Sequence, residues 1–483
     1  MTFSNFVGDK FLQALDSATL DHIDPSTGLK AATLPDSDIL DVVQAIQAAN
    51  KAFAGWSKTS AAERAKVLNL IAEKIESMGE EFCLSQARDI GTPVSSTEAH
   101  SIERAAAEFR YHARLIQDFS DEGVLREKSL YFQNRLPIGV VAVITPASDP
   151  LVNLASRIAP ALAAGNAVIA KPSRYTPETA ELLAKAVHSS GLPSGVFGLV
   201  QGRGDQAGTT LVSHPGISTI AFVGSTETGK LIQASANEMM KRTHLALGSR
   251  NPVLLFAGTD LQKAIPQLVE ASLGTHPSIA ARGSRVFIQE TIYKESLDIL
   301  KKHIESLKIG SPFESATSLG PMANAKHFKK YQETVAFAAK QNGKLLLEGS
   351  GKVAGLAQKF DQGYFVNPIL ISDLTNCSTL QQEEIIGPFI NATSFKYQHD
   401  ALKHANTSPF GGSAYIFEAN GAKAKRVATL IETGSVYINS GVPLFDMSVE
   451  REPLKASGQG RVGGSALLNF FSRRSSIAEN FNA

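Results

Sequence analysis

Residues 138–146 read IGVVAVITP, a near-continuous run of apolar and mostly β-branched side chains. Such a run is typical of a strand that is buried on both faces of a parallel sheet. After a helix-like segment, GNAVIAKPS at 165–173 supplies a second strand of the same kind. The helical PETAELLAKAVHSSGLP at 177–193 then leads to a third strand, GVFGLVQG at 195–202. The sequence therefore predicts a β-α-β-α-β unit, which right-handed crossovers turn into a doubly wound sheet.

Polar residues and glycines follow each predicted strand, at Thr145-Pro146, Lys171-Pro172-Ser173 and Gly202. In sheets of this class, ligands bind beyond the carboxyl ends of the strands. The segment GRGDQAG at 202–208 comes close to a dinucleotide fingerprint, but its last glycine is spaced too widely, so the signal is weak by itself. We expect a ligand at this edge, and these residues alone do not identify it.

A further strand-to-helix junction, AFVGSTETGKLI at 221–232, places Gly224, Ser225 and Thr226 in the first turn of a helix. The N–H groups at the start of a helix are suited to a pyrophosphate. An ordinary capped helix explains the same residues equally well, so both interpretations stay open.

Nearer the N-terminus, Ser60-Ala-Ala-Glu63 is a capping box, because the hydroxyl and the carboxylate satisfy each other's backbone donors. The box predicts a helix that begins there, and Gly79 is placed to end it.

The composition limits the classes of partner. Of 483 residues, 43% are hydrophobic and 19% are charged, which is the profile of a globular protein with sizeable cores. Lys and Arg number 47 against 46 Asp and Glu, so no field exists that would attract nucleic acid or an anionic membrane. The sequence contains neither a leader pattern nor a membrane-spanning apolar run, and we expect a cytoplasmic protein. Its two cysteines, Cys83 and Cys377, exclude a disulfide framework and a multi-cysteine metal site, and no metal is expected.

A dozen segments, some of them described above, carry a resemblance over nearly the whole chain. In order, they are ITPASDP, AGNAVIAKPS, GRGDQAG, FVGSTETG, LALGSRNP, ARGSRVFIQE, LGPMAN, GYFVNP, EEIIGP, SPFGGSAYIF, GSVYIN and KASGQGR. Their order and spacing resemble those of the aldehyde dehydrogenase superfamily. The resemblance implies an α/β fold with a doubly wound, Rossmann-type dinucleotide-binding domain, an α/β catalytic domain and a small β oligomerisation arm.

On this basis we expect the dinucleotide-binding domain at 1–120 and 144–245, and the catalytic domain at 246–445. The arm is expected at 121–143 and 464–483, where KSLYFQNRLP and ALLNFFSRRSSIAENF occur. The resemblance also implies homodimers or tetramers, and a hetero-oligomer with an active relative is an alternative.

In the family, a cysteine thiolate attacks the aldehyde, a glutamate acts as general base, and an asparagine amide with a backbone N–H forms the oxyanion hole. Position by position, the resemblance places the cysteine at Ala280, the glutamate at Ala246 and the asparagine at Ser148. No catalytic group is intact, so we expect a pseudoenzyme that cannot oxidise aldehydes.

Two serines lie within a few residues of Ala280. Ser278 and Ser284 carry hydroxyls, but an activating base would have to come from His276. A laboratory trapping mutant would not explain the further departures at Thr275-His276-Pro277-Ser278 and Arg451-Glu452-Pro453. These departures favour a natural origin for the losses.

The nucleotide-binding motifs are better preserved. Lys171 and Glu384 match the residues that hold the two riboses, and Gly224 and Ser225 match the pyrophosphate site. Arg174 stands where NAD enzymes of the family often have an acid, so NADP is favoured over NAD, although a solvated loop cation is an equally good explanation. Ile386 replaces a phenylalanine beside the nicotinamide. The complete set of expected cofactor-binding residues is Thr145, Pro146, Lys171, Ser173, Arg174, Phe222, Gly224, Ser225 and Glu384.

Three functions remain as hypotheses. The first is a catalytically silent nucleotide or metabolite binder. The second is a structural protein or a hetero-oligomer partner. The third is residual NAD(P)-dependent aldehyde or semialdehyde oxidation, or a serine-based esterase activity.

Overall fold

The computed structural model describes residues 1–118, 123–274, 283–444 and 446–481. Strands and helices are numbered along the chain. The helices are α1 Ile39–Trp56, α2 Ala61–Ser77, α3 Gly79–Ile90, α4 Val94–Gln117, α5 Pro150–Ala163, α6 Pro177–His188, α7 Thr209–Ser213, α8 Thr226–Glu238, α9 Leu261–Leu273, α10 Tyr293–Glu305, α11 Ala325–Ala338, α12 Thr379–Gln382, α13 Gln398–Asn406, α14 Gly421–Ala428 and α15 Ala466–Phe470.

The first sheet contains the unit that the sequence predicts. Its strands are β1 Asn5–Val7, β2 Lys10–Leu12, β7 Val140–Ile144, β8 Ala167–Lys171, β9 Phe197–Leu199, β10 Thr219–Val223, β11 Arg242–Ala246 and β21 Gly458–Gln459. They lie in the order β2-β1-β9-β8-β7-β10-β11-β21, and those from β9 to β11 are parallel. The doubly wound sheet is therefore confirmed.

Strand β7 explains why its sequence is apolar without alternation. Val141 and Val143 pack into the core on one face of the sheet, and Val140, Ala142 and Ile144 pack into the core on the other. Fully burying an aliphatic side chain of this size contributes about 1.5–3 kcal/mol. A polar residue at any of these positions would lose that contribution on one face or the other.

The second sheet belongs to the other large α/β unit. Its strands are β12 Pro252–Leu255, β13 Arg285–Gln289, β14 Lys344–Glu348, β15 Ile369–Ser372, β16 Phe389–Phe395, β18 Ser413–Phe417 and β19 Ser435–Ile438. The order is β14-β15-β16-β13-β12-β18-β19, and the pairs are parallel apart from β14 with β15.

A third, smaller sheet lies in the segments where the arm is predicted. It consists of β5 Gly123–Arg126, β6 Ser129–Pro137 and β22 Ser472–Asn480, in the order β22-β6-β5. The remaining strands form two short antiparallel pairs, β3 Thr19–Ile23 with β4 Lys30–Pro35 and β17 Phe410–Gly411 with β20 Leu454–Lys455. The predicted arm boundary at residue 143 falls inside β7, so the arm strand ends before the central sheet begins; the division into domains stays a prediction.

The predicted capping box is present at the start of α2. The Ser60 N–H donates to the Glu63 carboxylate at 2.9 Å, and the Glu63 N–H donates to the Ser60 hydroxyl at 3.2 Å. The prediction for Gly79 is wrong, because α2 ends at Ser77 and Gly79 is the first residue of α3. Its φ angle is not positive, so it does not act as a left-handed cap.

Candidate functional site

The carboxyl ends of β7, β8, β10 and β11 meet at one edge of the first sheet. Ile144 is paired in register with Lys171 on one side and Phe222 on the other, and Val223 is paired with Ala246. The parallel register therefore brings residues that are about a hundred positions apart in the chain to the same level of the sheet.

A cavity of about 540 Å³ opens beside this edge. Its lining comes from the ends of β7 and β10, from the GRGDQAG segment, and from α7 and α8. The lining residues are Ile144, Gly204, Asp205, Gly208, Thr209, Val212, Phe222, Thr228, Leu231, Ile232 and Ser235. Phe222 is the lining residue that was predicted to bind the cofactor. Val212, Leu231 and Ile232 were missed, because their helical spacing is that of ordinary core residues.

Lys171 lies at the end of β8 and is buried. Its ammonium donates to the carbonyl of Pro172 at 3.1 Å and to that of Gly202 at 2.9 Å. Burial lowers the pKa of Lys171 to about 8, against the opposing charge of Asp205. An ammonium has three N–H donors, so these two hydrogen bonds leave a third donor for another acceptor.

The residues after Lys171 form the turn into α6. The Ser173 hydroxyl accepts the Tyr175 N–H at 3.3 Å, and its carbonyl accepts the Thr176 N–H at 3.0 Å. The Arg174 guanidinium is exposed, lies 4.9 Å from the centre of the Tyr175 ring and donates to the Tyr175 hydroxyl at 2.9 Å. Ser173 therefore shapes the backbone, and Arg174 is held by its neighbour at the surface.

The junction between β10 and α8 is closely packed. A Cβ on Gly224 would lie 3.0 Å from Cε1 and Cε2 of Phe222, and nearer still to Cζ. The Ser225 hydroxyl caps α8, because it accepts the Thr228 N–H at 3.3 Å. That hydroxyl has the role of an ordinary N-cap, and the glycine allows the Phe222 ring to approach the backbone.

Glu384, which follows α12, lies against the backbone of the LALGSRNP segment. A Cβ on Gly248 would be 2.8 Å from the carboxyl carbon of Glu384. Burial raises the pKa of Glu384, and the charge of Lys330 opposes the shift. Ile386 packs against the core around Met322. The EEIIGP and LALGSRNP motifs therefore meet in space.

Beyond β7, the chain runs through Thr145, Pro146, Ala147 and Ser148 into α5. The Thr145 N–H donates to the Lys171 carbonyl at 3.2 Å, while its buried hydroxyl has no hydrogen-bond partner among the described residues. Ala147 packs with Ile90 beneath this turn.

Ser148 and Ala246 line a second cavity, of about 320 Å³. The Ser148 carbonyl accepts the Asn153 side-chain amide at 2.7 Å, and the Ala246 carbonyl accepts the Gly224 N–H at 3.0 Å. The two positions that the resemblance assigns to the oxyanion amide and the general base are thus brought together. Ala280 lies outside the described residues.

The 320 Å³ cavity is also lined by charged side chains. Apart from the segment at 451–453, the sequence motifs do not point to these residues. The charged lining residues are Arg104, Glu108, Asp149, Arg157, Arg451 and Glu452. Asp149 has a φ of 46° at the start of α5 and accepts the Ser101 hydroxyl at 3.1 Å. Burial raises the pKa of Asp149, and the charge of Arg104 opposes the shift.

The possible replacement nucleophiles differ in their surroundings. Thr275, His276, Pro277 and Ser278 lie outside the described residues. The Ser284 hydroxyl accepts a hydrogen bond from the Arg250 guanidinium, which is a donor and not a base.

Neither cysteine lines the 320 Å³ cavity, the reaction cavity, which contains the positions that the resemblance assigns to the oxyanion amide and the general base. Cys377 is exposed, and Cys83 is buried, which raises the pKa of its thiol. In the ranges that the structure describes, no group of three His, Cys, Asp or Glu side chains is arranged to hold a metal ion. Among the same residues, no helix is both long enough and apolar enough to cross a membrane.

Comparison with known proteins adds independent evidence. The family model described as "Aldehyde dehydrogenase family" matches residues 12–477. A 2-aminomuconic semialdehyde dehydrogenase of Danio rerio is 33% identical over 480 residues, covering 99% of this chain and 98% of the relative. The crystal structure of HpcC from Thermus thermophilus superposes with a TM-score of 0.96 at 31% identity, covering 100% of this chain and 93% of that one.

A third similar protein is a cysteine-to-alanine mutant of the P. syringae indole-3-acetaldehyde dehydrogenase, solved in complex with NAD+ and IAA. It has a TM-score of 0.95 and 28% identity, with 99% of this chain and 96% of that one covered. The match to the family model and the similarity along the whole chain lead to one conclusion: this protein belongs to the aldehyde dehydrogenase family.

Proposed function

We propose that this chain is a catalytically silent member of its family, which binds NAD(P) and does not oxidise aldehydes. The observation that carries the proposal is that Ser148 and Ala246 line one cavity at the positions of the family's oxyanion amide and general base. By sequence, Ala280 stands at the position of the nucleophilic cysteine.

The chemical argument concerns lone pairs and protons. Ala280 presents a methyl group, which has no lone pair with which to attack a carbonyl carbon. Ala246 cannot accept a proton from water, so the second step of the family's reaction also lacks its base. Replacing the amide donor by the shorter Ser148 side chain adds a loss of about 10²- to 10³-fold. Any one of these changes would impair turnover, and the first prevents covalent catalysis.

Nucleotide binding is supported by the first cavity. Members of this family use NAD(P), which supplies a hydride acceptor when bound. The apolar side chains of Val212 and Leu231 suit an adenine ring, and the third ammonium donor of Lys171 suits a ribose hydroxyl. The half-buried Glu384 carboxylate would accept from the other ribose, and the N–H groups at the start of α8 would contact the pyrophosphate. The residues present therefore fit a dinucleotide.

Loss of the thiol is compatible with such binding. The P. syringae relative carries a cysteine-to-alanine change and was solved with NAD+. For this chain, NADP is the favoured form, because Arg174 presents a guanidinium at the surface beside Lys171, where a 2'-phosphate would be paired in a bidentate manner.

Semialdehyde oxidation is the second candidate, and the name of the Danio rerio relative is the observation that favours it. It would require a nucleophile other than Ala280. A serine-based esterase is less well supported, since the described candidate, Ser284, is bonded to Arg250.

Assembly through the arm is part of the proposal, since family members are commonly oligomeric. Val124, Leu125, Tyr131 and Ile477 are exposed apolar residues on the arm sheet. We expect a homodimer or tetramer, and mixed assembly with an active relative is the alternative.

The test uses purified protein in two assays. NADPH and NADH binding is followed by protein fluorescence, and turnover is followed by absorbance on a panel of aldehydes and semialdehydes. We expect saturable binding, tighter for NADPH, and no turnover above a heat-treated control. The combined variant Ser148→Asn, Ala246→Glu, Ala280→Cys serves as the positive comparison. Sustained oxidation of any aldehyde by the unmodified chain would refute the proposal.

A further inference from the structure

The turn between β8 and α6 places an arginine and a tyrosine in direct contact. The guanidinium carbon of Arg174 lies 4.9 Å from the centre of the Tyr175 ring, and its Nη2 donates to the Tyr175 hydroxyl at 2.9 Å. A guanidinium has five N–H donors and stacks on aromatic faces. The ring and the hydroxyl therefore limit the orientations of the exposed Arg174 side chain and leave most of its donors available.

Tyr175 is itself held by packing on the side that faces the protein. Its side chain is half-buried and packs against Ile90, Ala147 and Ala323. Ile90 is the last residue of α3, and Ala147 lies between β7 and α5. An exposed arginine loses conformational entropy when a ligand fixes it, and one that is already held on a packed ring loses less.

This turn lies close to the 540 Å³ cavity. A Cβ on Gly208, which lines the cavity, would lie 3.5 Å from Cδ of Lys171. Burial is the main cause of the lowered pKa of Lys171, and the charge of Arg174 contributes to it. Arg174 is therefore within electrostatic range of the ammonium that we propose binds a ribose hydroxyl.

Two carboxylates near Lys171 act in the opposite direction. The charges of Asp205 and Asp36 both raise the pKa of Lys171 against the effect of burial. Asp36 is paired with Arg203, whose Nη2 lies 3.0 Å from its Oδ2. Asp205 lines the cavity and would repel a phosphate there. An arginine that moved freely in solvent would offset this repulsion poorly, so the local charges favour a phosphate only if Arg174 is held in place.

We propose that Tyr175 is a positioning residue for NADP, whose ring and hydroxyl hold the Arg174 guanidinium where it pairs with the 2'-phosphate. The inference rests on the proposed function, because it concerns the preference of the same site for NADP over NAD. Tyr175 acts through Arg174 and does not contact the phosphate itself. A tyrosine that only completed the packing beneath the turn would support NADPH and NADH binding equally.

The measured quantity is the ratio of the NADH dissociation constant to the NADPH dissociation constant, obtained by fluorescence titration of the full-length protein at constant ionic strength. The unmodified chain should bind NADPH more tightly, and Arg174→Gln should lower the ratio to about one. Tyr175→Leu should lower it by about threefold to tenfold and change NADH affinity by less than about twofold. Tyr175→Phe keeps the ring and should retain part of the preference.

A double variant distinguishes positioning from packing. If Tyr175 acts through Arg174, the variant Arg174→Gln, Tyr175→Leu should have the same ratio as Arg174→Gln alone. The matched control is Arg114→Gln. Arg114 lies 5.9 Å from the centre of the Tyr111 ring on α4 and lines neither cavity, so the ratio should not change.

Three results would overturn the inference: an unchanged ratio in Tyr175→Leu, equal losses of NADPH and NADH affinity in that variant, or a further fall of the ratio in the double variant. Should Tyr175→Leu fail to fold, Tyr175→Phe decides the question. Removing the hydroxyl should then lower the ratio in the unmodified background and have no effect on it in the Arg174→Gln background.

The outcomes separate this inference from the proposed function. An NADPH preference that does not depend on Tyr175, with no aldehyde turnover, would overturn the positioning role and leave the silent nucleotide binder intact. Equal binding of NADPH and NADH by the unmodified chain would overturn the positioning role together with the preference for NADP. Aldehyde oxidation by the unmodified chain would overturn the catalytic silence, whatever the ratios show.

Discussion

Replacing Gly224 by alanine should distort the 540 Å³ cavity, where we propose that the nucleotide binds, through a single contact with Phe222. The added Cβ would lie 3.0 Å from two carbons of the Phe222 ring and closer still to a third, where ordinary contacts begin at 3.4 Å. The ring must therefore move by several tenths of an ångström or more. Phe222 lines the 540 Å³ cavity, so a shift of the ring changes the cavity wall.

The expected cost is that of overpacking a well-packed site, about 1–3 kcal/mol. The φ angle of Gly224 is not positive, so backbone strain adds nothing to this figure. If this cost falls on the nucleotide-bound state and not on the free protein, the binding free energy weakens by the same amount. NADPH affinity then falls by about tenfold for each 1.4 kcal/mol.

Gly204→Ala is the matched control. Gly204 lines the same cavity, yet a Cβ there would meet no atom within 4 Å. Since alanine also restricts the unfolded chain, the control should be neutral or more stable by about 0.4–1 kcal/mol. Both variants are measured by urea unfolding and by NADPH fluorescence titration. If Gly224→Ala binds NADPH as tightly as Gly204→Ala and unfolds at the same urea concentration, the packing argument is wrong.

Further predictions concern four single side chains. For Lys171, NADPH affinity should fall as the pH rises through about 8, where the buried ammonium loses its proton, and Lys171→Met should lack this dependence. Without nucleotide, the same lysine should make the unfolding free energy rise between pH 8 and 10.5, because the unfolded side chain binds more protons there. Ser60→Ala removes the cap of α2 and should lower the unfolding free energy by about 1 kcal/mol in a urea titration. Asn166→Ala should lower the same quantity by about 2–5 kcal/mol, because the fully buried amide has four backbone partners, including the Phe471 carbonyl that ties in the arm; a change below 1 kcal/mol would contradict this. Glu384→Gln should raise the thermal midpoint without nucleotide, since burial already disfavours the charged carboxylate, and should weaken NADPH binding.

The sequence predicts the first sheet well because each strand of its β-α-β-α-β unit can be recognised from a short, continuous run of residues. The run at 138–146 forms one strand with both faces buried, and parallel pairing then fixes which residues share the edge. The prediction for Gly79 failed because the residue type alone does not fix its backbone conformation. A glycine ends a helix where the backbone turns left-handed, and at Gly79 the chain begins a new helix.

The reaction cavity could be predicted only in part. The resemblance gave Ser148 and Ala246, but the arginines come from segments that no motif connects. Arg104 lies on α4, Arg157 on α5 and Arg451 near the C-terminal end of the chain, and only the tertiary fold brings them to one cavity. In the sequence, Arg104 and Arg157 look like solvated cations, and Arg451 is noticed only as a departure from the family's pattern.

The positions that the family uses for chemistry and the positions that it uses for the cofactor differ in what they cost this protein. At the reaction cavity, the Ala246 side chain has no charge to desolvate. Among the expected cofactor-binding residues, burial lowers the pKa of Lys171 and raises that of Glu384, so desolvation disfavours the charged form of each side chain. A ribose hydroxyl beside either group would offset that desolvation. The proposed function therefore predicts that nucleotide binding stabilises the fold, whereas restoring a carboxylate at Ala246 adds a charge that must be desolvated.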